Sequence, residues 1–435
     1  MSDAVFVAPD AKPQAGTIKS FFLIWFGQLI SVTGTGLTRF ALGIWVYQMT
    51  GSATKFALTE VFASLPAILV FPLVGVLVDR HDRRWIMILS DAGSGISTMM
   101  IALLLAWGRL ELWQIYVIAA IKSICAAFQW PAYSALVTGI VPRQHLIRAS
   151  GMMQFSEALA HSIAPVLAGV LIALVKIWGV IFVDVASFLF AIMMLGIAVT
   201  PRFVPDANVS TASWTSHLLF GWKYIQQRPA FIALLVFFAI TNFLTGIVII
   251  LSTPMVLSFA SVQVLGGVLS CAGLGMLFGS LMMSVWGGPR SLIQGVLMPE
   301  LVLGIAIILA GSRPYPILVA SMVFAFSFCL PIILSCSQAI WQRNVEPEVQ
   351  GRVFAVRRMI AWSTLPLAYG IAGPLADRVF IPLVHPGSHL YAALIPLLGT
   401  GSGRGIGLIF LGVGICVLLT TLWAYLYSPL RQIEE

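Results

Sequence analysis

Eight ionisable side chains interrupt apolar runs long enough to cross a membrane: Arg39, Glu60, Asp91, Lys122, Glu157, His161, Asp184 and Glu300. Each costs at least about 2.5–3.5 kcal/mol at a bilayer centre, so each needs a partner, water or a task. Glu157 and His161 stand one helical turn apart and share a face. That arrangement fits proton carriage, and it fits a solvated or paired carboxylate equally well. Lys122, in the run before, is placed to neutralise Glu157 in either case. Arg39 and Glu60 lie at comparable depth in adjacent runs, which points to a neutralising ion pair. Glu300 is the single mid-run acid of the second half, and the sequence identifies no partner for it. Asp91 and Asp184 sit nearer run ends and read as structural before anything else. Cys125, Cys271, Cys329, Cys336 and Cys416 fall singly inside apolar runs, without CxxC spacing, and read as small packing residues. No catalytic residue, metal site or cofactor is expected.

The elements that position these groups follow from composition. Of 435 residues, 59% are hydrophobic and 9% are charged, against about 25% charged in soluble domains. At about 20 apolar residues per crossing the chain holds a dozen spans and little else. Charge, Pro and Gly bound them at 21–48, 58–78, 85–107, 112–137, 151–175 and 179–199, then at 230–257, 262–285, 292–310, 317–341, 353–380 and 406–427. Between the two sets of six lies a polar stretch with Pro201, Pro205, Asp206 and Asn208. It leads into an amphipathic segment whose Leu218, Leu219, Trp222 and Ile225 share a face. The reading is an all-α polytopic membrane protein of twelve transmembrane helices in two six-helix halves. Its parts are an N-terminal tail (1–20), a first bundle (21–199), a linker (200–229), a second bundle (230–427) and a C-terminal tail (428–435). Gly275 and Gly279 form a GxxxG pair that lets a neighbouring helix come close.

Lys12, Lys19, Arg80, Arg83, Arg84, Arg143, Arg148, Arg202, Lys223, Arg228, Arg290, Arg343, Arg352, Arg357, Arg358 and Arg431 fall on one side of the bundle, whereas the other side carries only Lys55, Arg109, Lys176, Arg313, Arg378 and Arg404. The positive-inside rule then puts both termini in the cytoplasm. The formal net charge of +8 is that of retained loops, so nucleic acid is not expected as a partner.

The loop after the second span reads Gly75-Val-Leu-Val-Asp79-Arg80-His81-Asp82-Arg83-Arg84. It resembles the signature loop of the major facilitator superfamily, Gly-x-Leu-x-Asp-Arg-x-x-Arg-Arg, with Asp82 where Gly is usual. The resemblance implies the major facilitator fold. It also implies that Asp79 locks the halves together on the cytoplasmic side through charge contacts and a helix N-terminus. Other stretches are similar to the drug:proton antiporter branch. Lys122 stands where that branch has a buried base. His161-Ser-Ile-Ala164-Pro165-Val-Leu-Ala168-Gly169 is similar to the antiporter motif Gly-Pro-x-x-Gly-Gly. Phe128-Gln-Trp-Pro131-Ala132, Val183-Asp184-Val-Ala-Ser187-Phe188 and Gly351-Arg352-Val-Phe resemble macrolide efflux proteins and enterobactin exporters. Thr35 stands where relatives often carry Asp, and the second signature loop is reduced to Gly287-Gly288-Pro289-Arg290.

Two segments mimic motifs. Gly373-Pro-Leu-Ala-Asp377-Arg378 copies the signature loop but ends the eleventh span on the outer face, so it reads as a helix end with a local ion pair. Gly399-Thr-Gly401-Ser-Gly403-Arg404-Gly405 follows no strand and lacks the Lys-Ser/Thr ending of a phosphate loop. What the resemblance implies is a secondary active exporter of an amphiphilic small organic molecule such as a drug, macrolide-like compound or siderophore. It implies proton antiport by alternating access, a bacterial plasma membrane and action as a monomer. The alternatives are uptake or facilitated diffusion of a polar metabolite and, last, a non-transporting scaffold or sensor.

Overall fold

The computed structural model describes residues 17–142, 146–199, 214–346, 349–384, 399, 401 and 403–431. Most of the expected N-terminal tail and the polar linker stretch therefore lie outside the described residues. Those described form helices and no strand. Eleven helices are long and apolar enough to cross a membrane: α1 (Thr17–Thr50), α2 (Ala53–Arg80), α3 (Arg83–Ala106), α4 (Leu112–Ile140), α5 (Leu146–Ile197), then, after the short α6 (Trp214–Gln226), α7 (Pro229–Leu257), α8 (Val262–Trp286), α9 (Leu292–Ser312), α10 (Pro316–Asn344), α11 (Gln350–Leu375) and α12 (Arg404–Leu426). A π-helical turn, Ala376–Phe380, prolongs α11.

The 52 residues of α5 would run ~78 Å as one rod, far beyond a ~30 Å hydrocarbon core. The helix breaks at Lys176 (φ 56°, ψ −169°), and its limbs lie back to back along α1. A Cβ on Gly36 would meet Ala164 of the first limb at 2.8 Å, and one on Gly34 would strike Ser187 of the second. So α5 crosses twice, and among the described residues eleven spans make twelve crossings, six on each side of α6.

The loops are short because side chains close the helix ends. Asp82 caps α3 by accepting the Arg84 amide at 2.9 Å, which explains an acid where the family pattern has Gly. Ser52, Ser261 and Ser291 cap α2, α8 and α9 in the same way. The first half packs around Ile24, Met87, Tyr133, Leu136 and Leu195. The second packs around Phe237, Val296, Ile307, Trp341 and Phe410, and that core continues into Ile44, Ala53 and Phe56 of the first half. Gly275 and Gly279 bring α8 onto α10, where a side chain at either position would strike the carbonyls of Phe324 and Phe328.

The amphipathic segment is a helix, α6. Tyr224 and Ile225 turn inward, whereas Trp222 is 41% exposed. The reason is an aromatic ladder at this end of the second half. Tyr224 stacks on Phe231 and Phe231 on Trp341, and Arg228 and Arg357 lie over the two terminal rings.

Candidate functional site

The halves meet at the end opposite the signature loop, called here the far end. Tyr47 of α1 donates its hydroxyl to the Pro254 carbonyl of α7 at 3.4 Å. In the antiporter-like stretch, small residues permit two contacts at once. Ala164 is buried against Gly36 of α1. On the other side, Pro165 presents its carbonyl 3.1 Å from where a Cβ on Gly266 of α8 would stand, and Gly169 faces Val262. The side chain of His161, the expected neighbour of Glu157, lies outside the described residues. At the third seam, α11 meets α2. There Asp377 does not pair with Arg378 as the sequence suggested. Its carboxylate crosses to Ser52, Ala53 and Thr54, a contact no local pattern could announce because the partners are more than 300 residues away.

The buried charges resolve into separate groups. Arg39 donates from Nε to Glu60 Oε1 at 3.1 Å, with a second, shorter contact from Nη2 to Oε2. Tyr369 of α11 is within electrostatic reach of both. The Arg39 side chain is 55% exposed and that of Glu60 14%, so the pair borders open space and is not packed into a core. Eight residues separate it from Tyr47 on α1 and from Ser52 on α2, which sets it ~12 Å from the far-end seam.

Lys122 does not go to Glu157. Its ammonium lies 3.2 Å from Asp184 Oδ2 and 2.8 Å from Thr98 Oγ1, and Thr98 in turn donates to Asp184 at 2.9 Å. Lys122 reaches the second limb of α5 beside α3, whereas Glu157 of the first limb lies near Tyr133, eleven residues or ~16 Å further along α4. Phe188 covers the ammonium at 5.4 Å. Glu157 instead lies within electrostatic reach of Tyr133. Asp91 accepts from Gln28 Nε2 at 3.0 Å, and Gln129 donates to Gln28 Oε1 at 2.9 Å. Both amides are visible in the sequence, but nothing there indicated that they converge on Asp91. Glu300 is 3% exposed beside Thr241 of α7, and its Oε2 has no hydrogen-bond partner among the described residues.

Around the signature loop, Arg84 donates to the Gly196 carbonyl at 2.7 Å and so ties the loop to the end of α5. Gly75, Asp79 and Arg80 fall on the last turns of α2, and the side chains of Asp79 and Arg80 lie outside the described residues. Arg83 is half-buried at the start of α3.

Comparison with known proteins assigns this architecture. The sequence model of the Major Facilitator Superfamily matches residues 24–370. Macrolide efflux protein A of Streptococcus pyogenes is 24% identical over 376 residues, covering 82% of this chain and 90% of that protein. The multidrug efflux pump Tap of Mycolicibacterium fortuitum is 24% identical over 82% of this chain and 88% of its own. The enterobactin exporter EntS of Shigella flexneri is 22% identical, with 95% of each chain covered. Among solved structures, a bacterial homologue of the human lysosomal transporter Spinster, inward-facing and unoccupied, superposes with a TM-score of 0.72 at 14% identity, over 97% of this chain and 98% of that one. The chain belongs to the Major Facilitator Superfamily and is a multi-pass membrane transporter, not an enzyme.

Proposed function

We propose that the protein exports an amphiphilic small organic molecule by proton antiport, with the two bundles (21–199 and 230–427) rocking about a central site. The observation that carries this reading is the Arg39–Glu60 pair, with Arg39 exposed, ~12 Å inside the end at which the two halves are in contact. A charged pair at that depth needs water, which points to a central space entered from the signature-loop side. By the positive-inside rule that side is cytoplasmic, as are both termini, and the membrane is the bacterial inner membrane. The substrate would enter from the cytoplasm. Relatives named for efflux of macrolides, multiple drugs and enterobactin span 82–95% of the chain, which supports export and a substrate of that amphiphilic kind. Glu157, with His161, is the first candidate proton carrier and Glu300 the second. Asp79 with Arg80, Arg83 and Arg84 forms the cytoplasmic lock, and the transporter acts as a monomer.

The test is transport in inside-out vesicles energised by an imposed proton gradient, against a panel that includes a macrolide and a catecholate siderophore. Gradient-dependent accumulation that collapses with a protonophore is expected for at least one compound. Uphill movement only in the cytoplasmic direction would replace export with uptake.

A further inference from the structure

The six-residue pattern Gly-x-Leu-x-Asp-Arg occurs twice, at Gly75–Arg80 and at Gly373–Arg378. The second copy lies at the wrong end of the bundle for a signature loop. In both copies Gly and Asp are four residues apart, so they share a helix face. In the second copy that face meets the first turn of α2. An α-helix leaves its first N–H groups without partners and carries partial positive charge there. In α2 these groups are served from the other half. Ala53 N–H donates to Asp377 Oδ1 at 3.1 Å, Thr54 N–H to Oδ2 at 2.9 Å, and Ser52 Oγ–H to Oδ2 at 2.6 Å. The Lys55 amide uses Ser52 Oγ at 3.3 Å. The approach depends on Gly373, where a Cβ would stand 2.9 Å from Thr54 N and 3.0 Å from Ala53 O, with Thr54 Cα closer still. The π-helical turn Ala376–Phe380 begins one residue before Asp377, and such turns rotate the side chains that follow out of α-helical register.

We propose that Asp377 and Gly373 form the far-end latch of the transport cycle. The carboxylate on the α2 N-terminus holds the two halves shut at this end, and its departure exposes Ala53 and Thr54 N–H to water as the bundle opens there. The three bonds are made by one ionised group, so they are lost together, and closure is two-state at this seam. Ser52 keeps its bond from the Lys55 amide in both states, so α2 does not unravel when the latch leaves. Because α2 is thereby capped in trans, its N-terminus senses whether the halves are together.

The proposal rests on the alternating-access reading but not on substrate or coupling ion, and the test uses neither. In full-length protein with the five cysteines replaced by Ala, spin labels at Arg109→Cys and Ile317→Cys report the far end. Labels at Ile197→Cys and Val285→Cys report the opposite end. All four positions are exposed. Distance distributions are measured by pulsed electron resonance in lipid nanodiscs. Asp377→Asn and Gly373→Ala are each expected to raise the ratio of far-end-open to far-end-closed protein about tenfold, the scale of losing charge-assisted hydrogen bonds. The distance at the opposite end should shorten in the same proportion of molecules. Asp377→Glu, which keeps the charge but moves it one methylene farther and leaves the Ser52 cap intact, should move both ratios the same way by a smaller factor and carries the measurement if either of the others fails to fold. Unchanged distributions in the folded variants would overturn the latch. So would far-end lengthening without shortening at the other end, since that pattern is local fraying.

Discussion

The ammonium of Lys122 and the carboxylate of Asp184 are 3.2 Å apart across the gap between α4 and the second limb of α5, with Thr98 of α3 bonded to both. Three helices of the first half are thus tied through one fully buried acid, and the tie lies away from the seam between the halves. This is a structural clamp, and it removes Lys122 from the group around Glu157.

Removing one member should therefore cost more than removing both. Asp184→Ala leaves the Lys122 charge in a covered site, a loss on the order of 3–5 kcal/mol, seen as a lower melting temperature of detergent-purified protein. The double change Lys122→Met with Asp184→Leu should recover most of it. Equal losses in the single and double variants would contradict the clamp.

The Arg39–Glu60 pair calls for the same comparison at smaller scale, because Arg39 is 55% exposed and solvent screens the pair. Arg39→Ala and Glu60→Ala should each reduce folded yield by an amount corresponding to about 1 kcal/mol, and the double variant should regain part of it. Strictly additive losses would argue against mutual neutralisation.

For the signature loop, Asp79→Asn is expected to lower transport about fivefold or more, in line with up to ~2 kcal/mol for a charge at a helix terminus, while the protein still inserts at wild-type level. Normal transport by well-expressed Asp79→Asn would remove Asp79 from the lock.

Energy coupling is tested at Glu157. Glu157→Gln should abolish gradient-driven efflux in vesicles and preserve substrate binding and downhill exchange, because a carboxamide carries no proton but keeps the shape. If Glu157→Gln still concentrates substrate, Glu300→Gln is the variant that should show this phenotype.

What could be read in the sequence is what depends on local pattern. Apolar runs bounded by Pro, Gly and charge mark the crossings within a few residues, since bilayer thickness dictates their length. Arg39 and Glu60 come together because neighbouring antiparallel helices align positions equally far from their shared loop. Lys122 pairs with Asp184 and not with Glu157 because depth along α4 decides it: Glu157 lies near Tyr133, eleven residues from Lys122, a relation the run edges alone do not give. Asp377 looked like a helix end with a neighbouring Arg because no local rule points to a capping partner in the other half. Asp82 was legible as an N-cap, Asp followed by a helix, yet comparison with the family pattern presented it as a mere departure.

Between the fifth and sixth crossings the chain turns at Lys176 alone. There is no slack in such a joint. On the alternating-access reading, a tilt of the first limb with Pro165 against α8 passes to the second limb and so to Asp184, which α3 and α4 share. An epitope or cleavage site inserted at that elbow is expected to be poorly tolerated, since added residues would loosen the one-residue join between the two limbs.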